Sequence, residues 1–525
     1  MEKIKILWVD DEIETLKPQL MFIQQKGYEV TAVTNGYDAM EEFESDNEFD
    51  AVFLDESMPG ISGLETLSRI KAIKPNIPVV MITKNEEEHI MEEAIGAQIA
   101  DYLIKPVNPN QILLSLKRIV DEKRLIREKT SSDYQQDFRQ IFMKINSGLD
   151  HQEWVDVYKK IINWEIKMDQ SQSLEMGDIL SSQKAEANTA FCKFVDRDYM
   201  EWLDKDNKEA PVMSYNLLRE KVFPWVNDEM PTVVVLMDNL RYDQWKVIEP
   251  IINECYKVES EDYFFSILPT STQYSRNAIF AGMMPSEIEK KYPDLWKNDV
   301  DEGGKNLSEN VFLADQITRV FRKPIKHEYQ KITNIQNGKA LADNALNFLN
   351  NNLSIIVYNF IDMLSHARTE MEVLKELADD EKAYRSLTKS WFIHSPLWLA
   401  LQRLAEKPIR LFILTDHGSI KVKSPSKVVG DRETTTNLRY KVGRNLNYVG
   451  NEVIDFKDPS KVYLPRPNVS SSFIFAKEDK FFLYPNNYNY YNNYYKDTFQ
   501  HGGASLEEII CPVIRLKSRY QVISD

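Results

Sequence analysis

Three apolar runs, far apart in the chain, each lead into an acidic residue: Thr232–Met237 before Asp238, Ser354–Phe360 before Asp362, and Arg410–Leu414 before Asp416. In an open parallel sheet the ligand crevice lies outside the carboxyl ends of the strands. Three such runs in one sheet would bring three carboxylates to one point. His366, His417 and His501 accompany them, and three Asp with three His suit a pair of transition-metal ions. His89, His151, His327 and His394 have no comparable setting. The second half of the chain is thus expected to be an α/β domain with a two-metal hydrolytic centre.

Each member has a local rationale. Asp362 and His366 stand four apart, so one helical turn can aim both at one ion. In Asp416-His417-Gly418 the glycine lets the backbone turn while both side chains face the crevice. Asp238, taken alone, would be read as a helix cap. Thr270, Ser271 and Thr272 follow a strand pattern and precede a helical one, and a hydroxyl at a helix start sits in a positive field. Arg241, Arg276, Arg439 and Arg444 are candidates to neutralise a bound phosphate, although a salt bridge is the commoner role for each. The run 486–495, NNYNYYNNYY, offers faces on which bases can stack, or is simply a polar loop.

The first 120 residues carry a different acidic site. Ile4–Val9 leads to Asp10, Asp11 and Glu12; Asp50–Leu54 leads to Asp55; Ile77–Ile82 leads to Thr83; and Asp101–Ile104 leads to Lys105-Pro106. Helical segments separate the runs, which predicts a five-stranded βα domain with its polar residues at strand ends. Asp10, Asp11 and Asp55 in one crevice repel unless a cation is present, and hard carboxylate oxygens select Mg²⁺. Asp55 can then act as a nucleophile on phosphorus. Lys105 and the Thr83 hydroxyl can grip phosphoryl oxygens, and Tyr102 can swing inward when Thr83 moves.

A chain of 525 residues exceeds one ordinary core. The predicted division is an α/β domain over 1–122, a helical connector over 123–215 and a larger α/β domain over 216–525. The amphipathic run from Asn108 to Lys129 passes the first domain's natural end and predicts a helix that continues outward. Further helices are expected over Asp137–Ser147, Gln152–Ile166 and Ser181–Leu203. The formal net charge of −16 argues against binding long DNA, which needs a basic footprint. No apolar run reaches membrane-span length, and the start of the chain lacks a signal-peptide build. With three scattered cysteines this suggests a reducing, cytoplasmic setting.

The motifs ILWVDDE, VFLDESMPG, MITK and DYLIKPV resemble the receiver domain of two-component response regulators, with its flavodoxin-like fold. The resemblance implies Asp55 as phosphoacceptor and a sensor histidine kinase as donor. It implies Mg²⁺ at Asp11, Asp55 and the Glu56 carbonyl, with Asp10 close by. Thr83 and Tyr102 become the switch pair and Lys105 the phosphate-sensing cation.

The stretches VVVLMDNLR, LPTSTQYSRNAIFAG, NFIDMLSH, ILTDHG and HGGASLEEIICPVI resemble the PglZ branch of the alkaline phosphatase superfamily. The likeness implies two zinc ions, one at Asp238, Thr272, Asp416 and His417 and the other at Asp362, His366 and His501. It makes Thr272 the nucleophile, as the second threonine of a PTxT run. The nucleophile loop has no cysteine, so the formylglycine chemistry of sulfatases is not available. Gln273-Tyr274-Ser275 departs from the diesterase relatives. A receiver joined to a PglZ domain resembles the PorX type of response regulator, tied to type IX secretion. It implies hydrolysis of nucleotide or oligonucleotide phosphodiesters, cyclic ones included. The alternative is a scaffold that binds a secretion-system protein or sigma factor without turnover. With the extended helix, receiver phosphorylation is expected to promote a homodimer.

Overall fold

The computed structural model describes residues 4–45, 48–75, 77–84, 99–171, 174–359, 361, 380–431 and 434–520. They form two compact units, residues 1–136 and 137–525.

The first unit is built on a five-stranded parallel sheet. Its strands are β1 (Lys5–Val9), β2 (Glu29–Val33), β3 (Ala51–Asp55), β4 (Val79–Thr83) and β5 (Asp101–Ile104), in the order β2-β1-β3-β4-β5. Side chains alternate between sheet faces with period two, so β1 supplies both cores. Ile6 and Trp8 pack with Phe53, Val80, Ile82, Ile112 and Leu116 on one face. Leu7 and Val9 pack with Val52, Leu54, Ala39, Leu67 and Ile70 on the other. Helices therefore cover both faces, as the continuous hydrophobicity of the strands demands. The strand order is that of flavodoxin-like folds. The last helix, Pro109–Ile145, is continuous for 37 residues, so it does run past the end expected of the first domain.

The second unit opens with two long helices, His151–Ser171 and Leu174–Trp202. The first begins where Asp150 and Glu153 cap each other: the Glu153 amide donates to Asp150 Oδ1 at 2.8 Å and the Asp150 amide to Glu153 Oε2 at 3.0 Å. The central sheet has six strands. They are β6 (Thr232–Met237), β7 (Tyr256–Phe265), β8 (His327–Ile332), β9 (Leu353–Tyr358), β10 (Arg410–Leu414) and the terminal strand Ile510–Ser518. The order is β7–terminal–β10–β6–β9–β8. β10, β6, β9 and β8 run parallel, and the terminal strand and β7 add antiparallel partners at one edge. β6 is wholly buried, as are β9 and all but the first residue of β10. The three acid-bearing runs are therefore adjacent, with their carboxyl ends at one edge of the sheet. Residues 420–500 add smaller sheets, one joining Tyr440–Gly443 to Ser472–Ala476 and Val453–Phe456.

Candidate functional site

In the first unit, strand ends deliver the acidic groups. Asp10 follows β1, Asp55 ends β3, Thr83 ends β4 and Lys105 follows β5. Ligand atoms of Asp10, Asp11 and Asp55 lie within 4.8 Å of one another. Lys105 Nζ stands 2.9 Å from both Asp10 Oδ2 and Asp55 Oδ2. Burial pushes the Asp55 carboxyl up to about 6; Lys105 opposes the rise, and Asp10 and Asp11 add to it. Asp55 Oδ1 is buried and accepts no hydrogen bond among the described residues. A buried carboxylate oxygen in that position, beside two more acids, fits a hard cation such as Mg²⁺.

Thr83 Oγ1 donates to Glu56 Oε2 at 3.1 Å. The Glu56 carbonyl accepts from the Gly63 amide at 2.9 Å. Gly63 is required there, because a Cβ would lie 2.2 Å from the Asp55 carbonyl oxygen. Tyr102 sits in β5, half-buried.

In the second unit, Asp238 follows β6, and Asp416 and His417 lie just beyond β10. Asp238 caps no helix. The helix Tyr242–Ile252 starts one turn later, where the Arg241 amide donates to Gln244 Oε1 at 2.9 Å. Ligand atoms of Asp238, Asp416 and His417 fall within 4.8 Å of one another, and all three residues are buried. His417 Nδ1 donates to the Gly418 carbonyl at 3.0 Å, which leaves Nε2 as the basic nitrogen facing the acids. Nε2 lies 3.7 Å from Asp238 Oδ1 and 3.8 Å from Asp416 Oδ2. The role of Gly418 differs from the expected sharp turn. A Cβ there would lie 1.9 Å from the Glu507 carbonyl oxygen, so glycine allows a close approach.

Of the three candidate hydroxyls, Thr272 reaches this cluster. Its Oγ1 donates to Asp238 Oδ1 at 3.2 Å and lies 3.1 Å from His417 Nε2. Thr270 Oγ1 donates instead to the Gly503 carbonyl at 2.7 Å, and Ser271 extends into a π-helical turn, Thr272–Arg276, that runs into the α-helix Asn277–Ala281. Two buried carboxylates and a buried imidazole around one point fit the oxygen and nitrogen donors of a zinc site that keeps one position open. His501 stacks on His417, with ring centroids 4.2 Å apart, and its Nδ1 donates to the Thr270 carbonyl at 3.2 Å. Asp362 and His366 lie outside the described residues.

Arg276 floors the site. Its Nη1 donates to Asp238 Oδ2 at 2.7 Å, and its Nε to Glu309 Oε1 at 2.7 Å. It lines a cavity of about 440 Å³ together with Thr272, His501, Lys331, Asn359 and Tyr440. Lys331, whose amine is held below its ordinary value by burial, donates to the Asn306 carbonyl at 2.9 Å. Asn306 in turn donates from Nδ2 to the Thr272 carbonyl at 3.0 Å.

The other arginines lie elsewhere. Arg241 is buried against Asp243 and Glu381, and Arg439 is buried in a bidentate pair with Glu508; neither lines the cavity. Arg444 pairs with Asp431 at 2.9 Å on the wall of a second cavity, of about 780 Å³, which shares Asn437 and Tyr440 with the first. The tyrosine-rich run forms the helix Tyr488–Tyr495, in which Tyr490 stacks on Tyr494 and Tyr491 on Tyr495. It lines neither cavity.

Sequence reasoning passed over Lys331, Asn306, Asn359 and Glu309. Asn359 had a usable signal, since it directly follows β9. The other three had none, because their place depends on which loops fold over the crevice.

Three family models match the chain. They are a response regulator receiver domain over residues 6–117, a PorX response regulator linker domain over 124–203, and a BREX system PglZ alkaline phosphatase-like domain over 217–516. Among curated proteins, the transcriptional regulatory protein ZraR of Klebsiella oxytoca is 34% identical over 124 residues, 24% of this chain and 28% of that protein. The transcriptional regulatory protein ResD of Bacillus subtilis is 31% identical over 116 residues, 22% of this chain and 48% of that protein. The chain thus spans between a quarter and a half of the length of these relatives.

Among solved structures, chemotaxis response regulator CheY4 of Vibrio cholerae is 27% identical, covering 22% of this chain and 99% of that chain with a TM-score of 0.21. The response regulator DrrB of Thermotoga maritima is 29% identical, covering 23% of this chain and 54% of that chain with a TM-score of 0.22. The longest match covers more than half of the sequence: the chain belongs to the PglZ family of alkaline phosphatase-like domains, carried behind a receiver and a linker in the architecture of PorX-type response regulators.

Proposed function

We propose that the chain is a response regulator whose output is a zinc-dependent phosphodiesterase acting on nucleotide or oligonucleotide diesters, switched by phosphorylation of Asp55. The observation that carries the reading is the Thr272 hydroxyl, set within 3.2 Å of both Asp238 and His417 on the wall of a cavity. A scaffold has no use for that placement.

Asp238, Asp416, His417 and Thr272 would hold one zinc ion, and Asp362, His366 and His501 a second. Zinc supplies Lewis acidity, lowering the pKa of a bound hydroxyl and polarising phosphoryl oxygens. The protein's own groups do the rest. Asp238 Oδ1 and His417 Nε2, at 3.2 and 3.1 Å, orient Thr272 Oγ1, whose proton passes to water in the cavity. Oγ1 bonds to phosphorus as the ester oxygen of the leaving alcohol departs, giving a phosphothreonine diester. Water then attacks the same phosphorus, and the Thr272 oxygen leaves with a proton. Arg276 pairs with Asp238 at 2.7 Å and adds positive charge to the cavity floor.

In the receiver, Asp55 would take the phosphoryl group from a sensor histidine kinase, with Mg²⁺ held by Asp11, Asp55 and the Glu56 carbonyl, and Asp10 close by. Lys105, already at 2.9 Å from Asp55, would meet the new phosphate. Thr83 and Tyr102 would relay the change, and the continuous helix Pro109–Ile145 supports a phosphorylation-promoted homodimer. The likeness of the linker to that of PorX supports a role in type IX secretion, in the cytoplasm.

The test is Thr272→Val against wild type on bis(p-nitrophenyl) phosphate. Loss of the nucleophile is expected to lower turnover by roughly 10³–10⁶. Retention of more than a small fraction of activity removes Thr272 from the role. A wild type inactive on every ester tried favours the scaffold, which would bind a secretion-system protein or sigma factor without turnover.

A further inference from the structure

We propose that the linker helix Leu174–Trp202 holds the loops of the metal centre in place, and that Lys184 is the positioning residue through which it does so. This rests on the metallohydrolase reading above.

Lys184, Asn188 and Cys192 recur every four residues, so they share one face of the helix. That face meets residues 504–507, just beyond His501. Lys184 Nζ lies 3.1 Å from Glu507 Oε1. Asn188 donates from Nδ2 to Glu507 Oε2 at 3.0 Å and accepts from the Leu506 amide at 2.8 Å. Cys192 Sγ reaches the Ala504 carbonyl at 3.1 Å. The clamped segment then grips the nucleophile loop. Thr270 Oγ1 donates to the Gly503 carbonyl at 2.7 Å and accepts from the Gly502 amide at 3.1 Å, two residues before Thr272.

Lys184 also works in a second direction. It pairs with Glu165 of the neighbouring linker helix at 2.9 Å and lies 4.0 Å from Glu381. Glu381 starts the helix Glu381–His394 and binds Arg241 at 2.5 Å, three residues after Asp238. Arg385 on the same helix joins Asp243 at 3.0 Å to linker Asp169 at 2.8 Å. One buried amine on the linker thus balances carboxylates attached to the His501 loop and to the Asp238 turn. The sheet sets where these segments start, and the Lys184 hub sets where their ends lie.

The experiment compares full-length wild type, Lys184→Met and Lys184→Arg. Zinc affinity is measured by competition with a chromogenic chelator, kcat and KM on bis(p-nitrophenyl) phosphate, and folding by circular dichroism. Groups that orient ligands from behind typically change metal affinity or activity by roughly 10–100-fold. Lys184→Met is therefore expected to lose about that much zinc affinity and kcat, with KM little changed, while Lys184→Arg recovers most of both. A Lys184→Met protein with a lower unfolding temperature but wild-type zinc affinity and kcat overturns the proposal, since that is the signature of a merely structural lysine. Should Lys184→Met fail to fold, Asn188→Ala carries the same expectation and the same refutation. A wild type that binds no zinc and cleaves no diester removes the metallohydrolase reading and this inference with it. An active, zinc-loaded wild type matched by both variants removes only the inference.

Discussion

Lys441 is a buried amine whose charge has no carboxylate partner among the described residues. It is 1% exposed; its Nζ donates to the Thr435 carbonyl at 2.9 Å and stands 4.6 Å from the centre of the Tyr484 ring. Burial pulls its pKa from the ordinary 10.5 to about 7. The unfolded chain keeps this proton up to about pH 10.5, whereas the folded protein releases it near 7. Between those values the unfolded state binds more protons, so stability rises with pH by about 1.4 kcal/mol per unit. The gap corresponds to about 5 kcal/mol of stability missing at pH 7 and below, compared with a neutral side chain of the same shape.

Lys441→Met keeps the length and removes the charge. It forfeits one hydrogen bond, worth about 1 kcal/mol, and some attraction to the Tyr484 ring. The Thr435 carbonyl still accepts from the Tyr484 hydroxyl at 3.0 Å, so no buried acceptor is orphaned. The expected net gain is about 3 kcal/mol at pH 7, or about 4 °C in unfolding temperature for a unit of this size. The gain should fall by about 1.4 kcal/mol per pH unit and reach zero near pH 9. Calorimetry of both proteins at pH 6.5, 7.5, 8.5 and 9.5 measures it. A variant that is no more stable at pH 6.5, or a gain that does not change with pH, refutes the reasoning.

Asp55→Ala is expected to abolish labelling by acetyl phosphate; mass spectrometry that finds the label on the variant would move the phosphoacceptor elsewhere. Arg276→Met removes the guanidinium that bridges the buried acids Asp238 and Glu309, and metal-free protein should lose about 3–5 kcal/mol, read by thermal denaturation. Elemental analysis should find two zinc ions per chain in wild type and fewer in Asp416→Ala. Chelation should lower the unfolding temperature and added zinc restore it, by about 4 kcal/mol when free metal reaches a thousand times its dissociation constant.

The parts of both sites that were legible in the sequence are those fixed by strand ends. A parallel strand announces itself as a short apolar run, and the residue after it has one place to go, which is why Asp55, Asp238, Asp416 and His417 could be named beforehand. That β10, β6 and β9 are neighbours was an assumption, because order in a sheet is decided by crossovers between distant segments. The arginines show the limit. Arg241 and Arg276 stand in similar polar surroundings in sequence. What separates them is a distant partner: Glu309 draws Arg276 under the crevice, whereas Asp243 and Glu381 draw Arg241 toward the linker. Helix ends in the linker were legible only in part, because the pattern of apolar residues sets the face of a helix more firmly than its limits. The cap at Asp150, once seen, fixes one of them.

The turn Thr272–Arg276 is wound as π rather than α. A π turn holds one residue more than the α turn it replaces, and it can be absorbed or created by a single-residue deletion or insertion without unravelling the helix beyond it. Each residue of an α-helix turns the chain by about 100°. Deleting Gln273 would rewind the segment and swing the Thr272 hydroxyl away from Asp238, while Asn277–Ala281 kept its seat. The direction of the attacking oxygen is therefore set by chain length at one point, a degree of freedom that no exchange of one side chain for another can reach.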